Sequence, residues 1–206
     1  MLRKETVEQG TLELLKELTS APELSNFRLV GGTALALIFG HRLSIDLDFF
    51  SDKVFDKGLL KEFLEENFHP TSVRENASKA IMQCQIRNVK VDFVSVKDPF
   101  NKEINYIENI PFAHIEDIAA LKLNAVKGRG SKKDFWDISK LLDVYSLTEL
   151  LTFYQTRYPY DDAFTVMRAL VYFDDAENEP DPVMIEKTSW EKVKTKIEKA
   201  FKNYYK

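Results

Sequence analysis

The sequence predicts an α+β fold, with a mixed α/β amino-terminal half followed by a helical carboxy-terminal half. Short apolar runs of strand length alternate with helical patterns as far as Pro111, and from Ile115 onward only the helical period recurs. The 206 residues, 44% hydrophobic and 30% charged, suit an ordinary soluble globular protein of one large domain, or of a domain with a smaller appendage.

Val7, Leu12, Leu15 and Leu18 form a rough helical stripe over Thr6 to Thr19. Phe27 to Val30 reads as a short strand running straight into Gly31-Gly32. Thr33 is placed to cap the helix that begins Ala34-Leu35-Ala36-Leu37, and Gly40 to close it. Ile45 to Phe50 is a second strand, followed by an amphipathic helix from Asp56 to Asn67 with Leu59, Leu60, Phe63 and Leu64 on one side. Two more strands, Ala80 to Arg87 and Lys90 to Val96, are linked through Arg87-Asn88 tightly enough for a hairpin, although the Asn-Val that follows is not a strong turn signal.

Pro99 ends this β region and Pro111 marks a boundary, which divides the chain into expected domains of residues 1–112 and 113–206. Ile115 to Lys127 is periodic, and Gly128-Arg129-Gly130 breaks the pattern. Ser131 is expected to cap the next helix, with Asp134 three residues on as in a capping box. Further helices are expected at Thr148 to Arg157, Asp162 to Tyr172 and Ser189 to Tyr205. The acidic stretch from Asp174 to Pro182 reads as a solvated loop. The aromatics Phe153, Tyr154, Tyr158, Tyr160, Phe164, Tyr172 and Phe173 read as helical core packing rather than as a base-stacking surface.

A formal charge of -4 excludes a broadly basic nucleic-acid binder. Cys84 is the only cysteine, so no internal disulfide and no cysteine metal cluster can form; it is expected as a buried thiol in a reducing compartment. The start carries charge (Arg3, Lys4, Glu5) and no continuous apolar core follows, so no signal peptide is expected there. The longest apolar stretch, Ala34 to Phe39, is far short of the ~20 residues that span a bilayer. The expected location is the cytoplasm, without a membrane.

Asp46 and Asp48 stand two apart on a predicted strand, so both carboxylates project from one face while Leu47 and Phe49 face the core. Side-by-side carboxylates repel unless a cation lies between them, which favours a divalent metal. Ser44 would share that face. Asp92 interrupts the apolar run Val89 to Val94, a costly position without a partner, and becomes a third carboxylate if its strand lies beside that of Asp46. Gly31-Gly32-Thr33 sits at a strand-to-helix junction, where glycines admit a phosphate to free helix amides. The full P-loop pattern is absent.

The run Gly31-Gly32-Thr33-Ala34-Leu35, then His41-Arg42-x-Ser44-x-Asp46-x-Asp48-Phe49, resembles the AbiEii/AbiGii toxin family of nucleotidyltransferases, within the DNA polymerase β-like superfamily. A second match runs from Glu116-Asp117-Ile118-Ala119-Ala120-x-Lys122-Leu123-x-Ala125 through Arg129, Lys133-Asp134 and Asp137. The resemblance implies a nucleotidyltransferase-like mixed β-sheet with flanking helices over residues 1–112, and a helical domain over 113–206 completing the cleft. It implies Asp46 and Asp48 as metal ligands for Mg²⁺ or Mn²⁺, with Asp92 a looser third ligand or catalytic acid–base group. Gly31, Gly32 and Thr33 would contact phosphate; the wider superfamily usually has Gly-Ser where this chain has Gly32-Thr33. Lys122, with Arg129, would neutralise the triphosphate. Asp137 is counted with the catalytic residues and Asp134 with the substrate-binding ones, although which of them reaches the site stays open. Arg42 and Ser44 are candidate substrate contacts; His41-Arg42 can equally just end a helix.

The implied reaction moves a nucleoside monophosphate from a nucleoside triphosphate to a hydroxyl of RNA (tRNA included), protein or a small molecule. A cognate antitoxin and a monomeric state are implied as well. A restriction-type nuclease fails on spacing, because Lys97 lies too far beyond Asp92. An Asp-x-Asp phosphatase leaves the glycine turn unexplained and has the wrong residue in Phe49. A non-catalytic nucleotide-binding or antitoxin-partner module of the same fold is the remaining alternative.

Overall fold

The computed structural model describes residues 1–76 and 81–205. Helix α1 (Gln9–Ser20) precedes strand β1 (Arg28–Val30), which passes without a loop into helix α2 (Gly31–Phe39). Strand β2 (Leu47–Ser51), helix α3 (Lys57–Phe68) and strands β3 (Ser72–Asn76), β4 (Ile81–Ile86), β5 (Val89–Ser95), β6 (Asn105–Ile107) and β7 (Ile110–Phe112) follow. The rest is helical: α4 (Ile115–Gly128), α5 (Lys132–Leu141), α6 (Leu147–Arg157), α7 (Ala163–Leu170), the single turn α8 (Asp174–Glu177) and α9 (Trp190–Tyr204). The α+β class is as expected.

The strands form one mixed sheet of order β3-β4-β5-β2-β1-β7-β6. β2 runs antiparallel to β1 and parallel to β5, so Asp48 lies opposite Val30 on one side and Asp92 on the other. Alternation sets the two faces. Leu47 and Phe49 of β2, with Val91 and Phe93 of β5, are buried, and the Phe49 and Phe93 rings stack at 5.5 Å. Each such phenylalanine contributes roughly 2–3 kcal/mol through burial. The opposite face carries Asp48, Phe50 and Asp92, all partly open.

α2 is apolar around its whole circumference, and Ala34, Leu35, Ala36 and Leu37 are fully buried. Such a helix must be covered on every side, and it packs on β1 and β2 and against α4 and α5. Gly40 closes it in the left-handed conformation, φ 76°, as expected.

Several expectations fail locally. Thr33 caps nothing, because α2 begins at Gly31 with no side-chain cap. Asp46 precedes β2 rather than lying on it, since the strand starts at Leu47. The first helix starts at Gln9, and Thr6 lies in a preceding 3₁₀ turn. Leu59 is exposed, and Leu60, Leu64 and Phe68 form the buried face of α3. The predicted strand start at Ala80 lies outside the described residues.

The β region does not end at Pro99. β6 and β7 extend the sheet, and Pro111 sits inside β7 beside Tyr106. Arg87-Asn88 does form a hairpin, with φ of 50° and 64°, and Glu108-Asn109 repeats the device at 50° and 65°. Both loops place Asn second in a two-residue turn that demands positive φ. Strand β3 carried no alternating apolar signal, which is why it was missed.

The Ser131–Asp134 capping box is absent as well. Ser131 Oγ donates to Glu179, which also accepts from the Lys132 amide. The acidic segment is therefore a brace rather than a free loop: Glu177 accepts from the Trp190 indole and from Lys194. Tyr154 and Phe173 are core residues as expected, but Tyr160, Phe164 and Tyr172 are exposed. Among the described residues, no helix is long and apolar enough to cross a membrane.

Candidate active site

The end of β1, the start of α2 and the face of α4 enclose a cavity of about 210 Å³ lined by Gly31, Asp48, Phe50, Leu121, Lys122 and Arg129, among others. Gly31 has φ of 73°, and a Cβ there would collide with Asp48 Oδ2. Only glycine allows the helix to start against that carboxylate. A Cβ on Gly32 would collide with the Arg42 guanidinium. The first amides of α2 have no side-chain cap and retain their capacity to bind an anion.

Thr33 serves a different purpose from the expected one. It is buried, and its hydroxyl donates to the Asp46 carbonyl and lies 2.9 Å from Ser44 Oγ. Thr33 and Ser44 thus tie the segment before β2 to α2 and fix where Asp46 leaves the chain. Neither hydroxyl is uncommitted.

On the sheet side three carboxylates gather. Asp48 and Asp92 are register partners. Burial and then the neighbouring Asp92 push the Asp48 carboxyl above its ordinary pKa, although Lys122 and Lys90 pull the other way. Asp92 is held by Lys90 Nζ at 2.6 Å and by the Gln83 amide at 3.2 Å. Asp46 lies 3.9 Å from Lys133 Nζ. The donors are all oxygen, the chemistry of a hard divalent cation. Among the described residues, no three His, Cys, Asp or Glu side chains are grouped closely enough to form a metal shell by themselves.

On the helical side the charges are interlocked. Lys122 of α4 is 4% exposed, and its Nζ lies 2.9 Å from both Asp134 and Asp137 of α5. Burial opposes its charge, but Asp137 and Asp134 hold its pKa above the ordinary lysine value. Asp137 also takes Arg42 through Nε at 2.7 Å and Nη2 at 2.9 Å, and His41 Nε2 at 2.8 Å. Against the cost of burial, Lys122 and Arg42 hold the Asp137 carboxyl well below the usual carboxylate range. Asp134 is shared between Lys122 and a forked Arg129 contact of 2.8 and 3.0 Å. The Arg129 side chain is 60% exposed, the one cation of this group that reaches solvent freely.

The candidate residues therefore divide. Gly31, Asp48, Lys122 and Arg129 share the cavity, and Asp92 adjoins Asp48 in the sheet. Asp137, counted as catalytic, and Asp134, counted as substrate-binding, are both fully buried, so neither reaches the cavity. Both are paired with Lys122 instead. Arg42 is buried in its salt bridge, and a direct substrate contact is corrected to support of Asp137. The sequence reading missed Phe50, Leu121 and Asn124 in the lining. The signal was present: Ile118, Leu121, Lys122, Ala125 and Arg129 recur at helical spacing on one face. Asp46 and Phe50 likewise flank Asp48 at intervals of two.

Comparison with known proteins agrees with this architecture. A family model described as nucleotidyl transferase AbiEii toxin, type IV TA system, matches residues 13–203. An uncharacterised protein of Aquifex aeolicus, aq_aa25, is 32% identical over 198 residues, covering 93% of this chain and 94% of that protein. JHP933 from Helicobacter pylori shares the fold with a TM-score of 0.58 at 20% identity, over 96% of this chain and 92% of that one. MenT4, the nucleotidyltransferase toxin Rv2826c of Mycobacterium tuberculosis H37Rv, does so with a TM-score of 0.55 at 13% identity, over 94% and 84% of the chains. The match from residue 13 to residue 203 leaves little of the chain outside it, and the protein belongs to the AbiEii nucleotidyltransferase toxin family.

Proposed function

We propose that this chain transfers a nucleoside monophosphate from a nucleoside triphosphate to a hydroxyl acceptor, with release of pyrophosphate, in the cavity between Gly31 and Arg129. One observation carries the reading: a phosphate-sized approach to uncapped helix amides, a crowded carboxylate and two cations line the same cavity. The acceptor oxygen attacks the α-phosphorus as the bond to the bridging oxygen of the leaving pyrophosphate breaks. The amides at the start of α2 receive phosphate oxygens. Arg129 swings onto the triphosphate, while Lys122, fixed between two carboxylates, supplies a positive field that needs no reorganisation. Asp92 is the group beside Asp48 placed to take the acceptor's proton. Phe50 and Leu121 offer apolar surface to a base.

Asp46, Asp48 and Asp92 fit Mg²⁺ or Mn²⁺ as ligands, with phosphate oxygens completing a shell that the protein alone does not close. When bound, the ion supplies charge neutralisation of the triphosphate. On this reading the chain divides into residues 1–112, which supply Asp48 to the cavity, and 113–206, which supply Lys122 and Arg129. The family description supports a toxin held in check by a cognate antitoxin; on our reading it acts in the cytoplasm, as a monomer, on RNA such as tRNA or on protein.

The test incubates each labelled nucleoside triphosphate with Mg²⁺ and total RNA or cell protein, using wild type and Asp48→Asn. Label should enter one acceptor class with wild type alone. Equal labelling by both proteins would overturn the site. Nucleotide binding without labelling of any acceptor would favour the non-catalytic module.

A further inference from the structure

The wall that α4 gives to the cavity changes character from one flank to the other. At about 100° per residue, Asn124 projects about 160° away from Lys122, with Leu121 and Ala125 between them. Lys122 and Arg129 make one flank charged, and Asn124 makes the other neutral. The sheet wall changes in the same way. Asp48 lies against Gly31, and Phe50, about 7 Å further along β2, is apolar.

Asn124 is the one neutral polar side chain in this lining. It is partly buried, and among the described residues its amide makes no hydrogen bond. Lys122 and Arg129, by contrast, are both tied to Asp134. Asparagine is a middling helix former, better suited to caps and turns, because its side chain competes for backbone groups. Position 124 lies inside α4, away from either cap, so no local bond offsets that cost. A triphosphate held by Gly31, Lys122 and Arg129 fills the charged flank, and the base of the same molecule is then left to the neutral one. The amide there sets a donor beside an acceptor. Every nucleobase presents the complementary pair on its pairing edge.

We propose, resting on the nucleotide reading of this cavity, that Asn124 reads the nucleobase of the bound triphosphate and sets which nucleotide is preferred. A bidentate pair between an amide and a base edge is a contact that tells bases apart. Phe50 and Leu121 place it beside apolar surface, where a hydrogen bond counts for more than in open water. Its role is selection, with no part in the bond-breaking step.

Calorimetric titration with each of the four nucleoside triphosphates and Mg²⁺, and with ribose 5-triphosphate, which lacks a base, tests this with no acceptor present. Asn124→Leu should weaken the preferred triphosphate about tenfold or more and leave ribose 5-triphosphate unchanged. Leucine is the better helix former, so the variant should fold, which its Tm checks. Asn124→Asp offers acceptors and no donor, and guanine alone presents two adjacent donors, N1–H and its exocyclic amine. The affinity for GTP relative to the other three should therefore rise about tenfold over wild type. Reading a ratio cancels the repulsion that an added charge exerts on every triphosphate. Arg129→Ala should weaken all five ligands alike. Unchanged affinities in Asn124→Leu, with wild type binding triphosphates, would overturn the base-reading role and leave the nucleotide cavity standing. Equal weakening of ribose 5-triphosphate would also overturn it, because the amide would then serve the sugar or the phosphates. A wild type that binds no triphosphate would overturn the nucleotide reading and the role of Asn124 together.

Discussion

Asp137→Asn should be the most damaging single charge removal in the Lys122 network, and the reason is a count of the charges around it. The network holds three cations, Lys122, Arg42 and Arg129, against two carboxylates, Asp134 and Asp137. Removing Lys122, as in Lys122→Met, leaves each carboxylate with its own arginine. Removing the Asp137 charge leaves Arg42 and Lys122 buried with only Asp134 between them and Arg129. Stranding a buried charge costs about 3–5 kcal/mol, and losing one partner of a still-paired carboxylate about 1–3 kcal/mol. For a chain of this size each kcal/mol moves Tm by about 2–4 °C, so Asp137→Asn should lower Tm by about 6–20 °C and Lys122→Met by visibly less.

Urea unfolding and calorimetry at neutral pH measure both variants. The pH dependence adds a signature. The Asp137 carboxyl is held well below its ordinary pKa in the folded state. Its contribution is thus fully present above the unfolded value of about 3.9 and lost as pH falls through the depressed folded value. The gap between wild type and Asp137→Asn should stay constant from about pH 5 to 8 and close only below about pH 4. The reasoning fails if Lys122→Met proves the more destabilising, or if the gap closes near neutrality.

Asp48→Asn should abolish transfer, by on the order of a hundredfold or more, yet raise the Tm of the metal-free protein. The folded protein holds the Asp48 carboxyl at a raised pKa, so at neutral pH its ionisation opposes folding, an opposition relieved on acidification; Mg²⁺ should raise the Tm of wild type and not of the variant, measured by differential scanning fluorimetry. Gly31→Ala should cost about 1–2 kcal/mol in backbone strain alone and displace the Asp48 carboxylate, giving an activity loss larger than the stability loss explains; equal effects from Gly31→Ala and Gly58→Ala would contradict this. Burial pushes the Cys84 thiol up to about 12, so a thiol reagent at pH 8 should label native protein only as fast as it unfolds. Arg129→Ala should raise KM for the triphosphate about tenfold and lower Tm by no more than Lys122→Met does, because Asp134 keeps Lys122 as a partner and the Arg129 side chain is largely solvated.

What could be read from the chain was local. Gly31-Gly32 and the Asp46/Asp48 pair declare themselves because backbone freedom and crowded charge are properties of neighbours in sequence. The pairing of β2 with β5 was expected only conditionally, since Asp92 lies 44 positions after Asp48 and nothing local fixes a parallel register. The links from His41 and Arg42 to Asp137 span 96 and 95 positions, and no periodicity announces them. This explains why Arg42 reads in sequence as a substrate contact and in the fold as a buried support. Asp134 misled for a different reason: a residue three beyond Ser131 suits a capping box by pattern, but Lys122 and Arg129 offer its carboxylate a charged partnership worth more than a cap.

The two walls of the cavity carry opposite charge, the arrangement that suits a triphosphate with a hard cation. On the sheet side Asp48 lines it, with Asp92 beside Asp48 and held by Lys90. On the helical side Lys122 and Arg129 line it, backed by the buried carboxylates Asp134 and Asp137. The chain's overall charge of -4 conceals both. Lys122 shows why burial helps rather than hinders. An exposed lysine at this position would wander and be screened, losing side-chain entropy on each binding event. Clamped at 2.9 Å by two carboxylates that are themselves fully buried, it holds a fixed position before any substrate arrives. Asp134 and Asp137, which do not reach the cavity, thus fix where its buried cation sits.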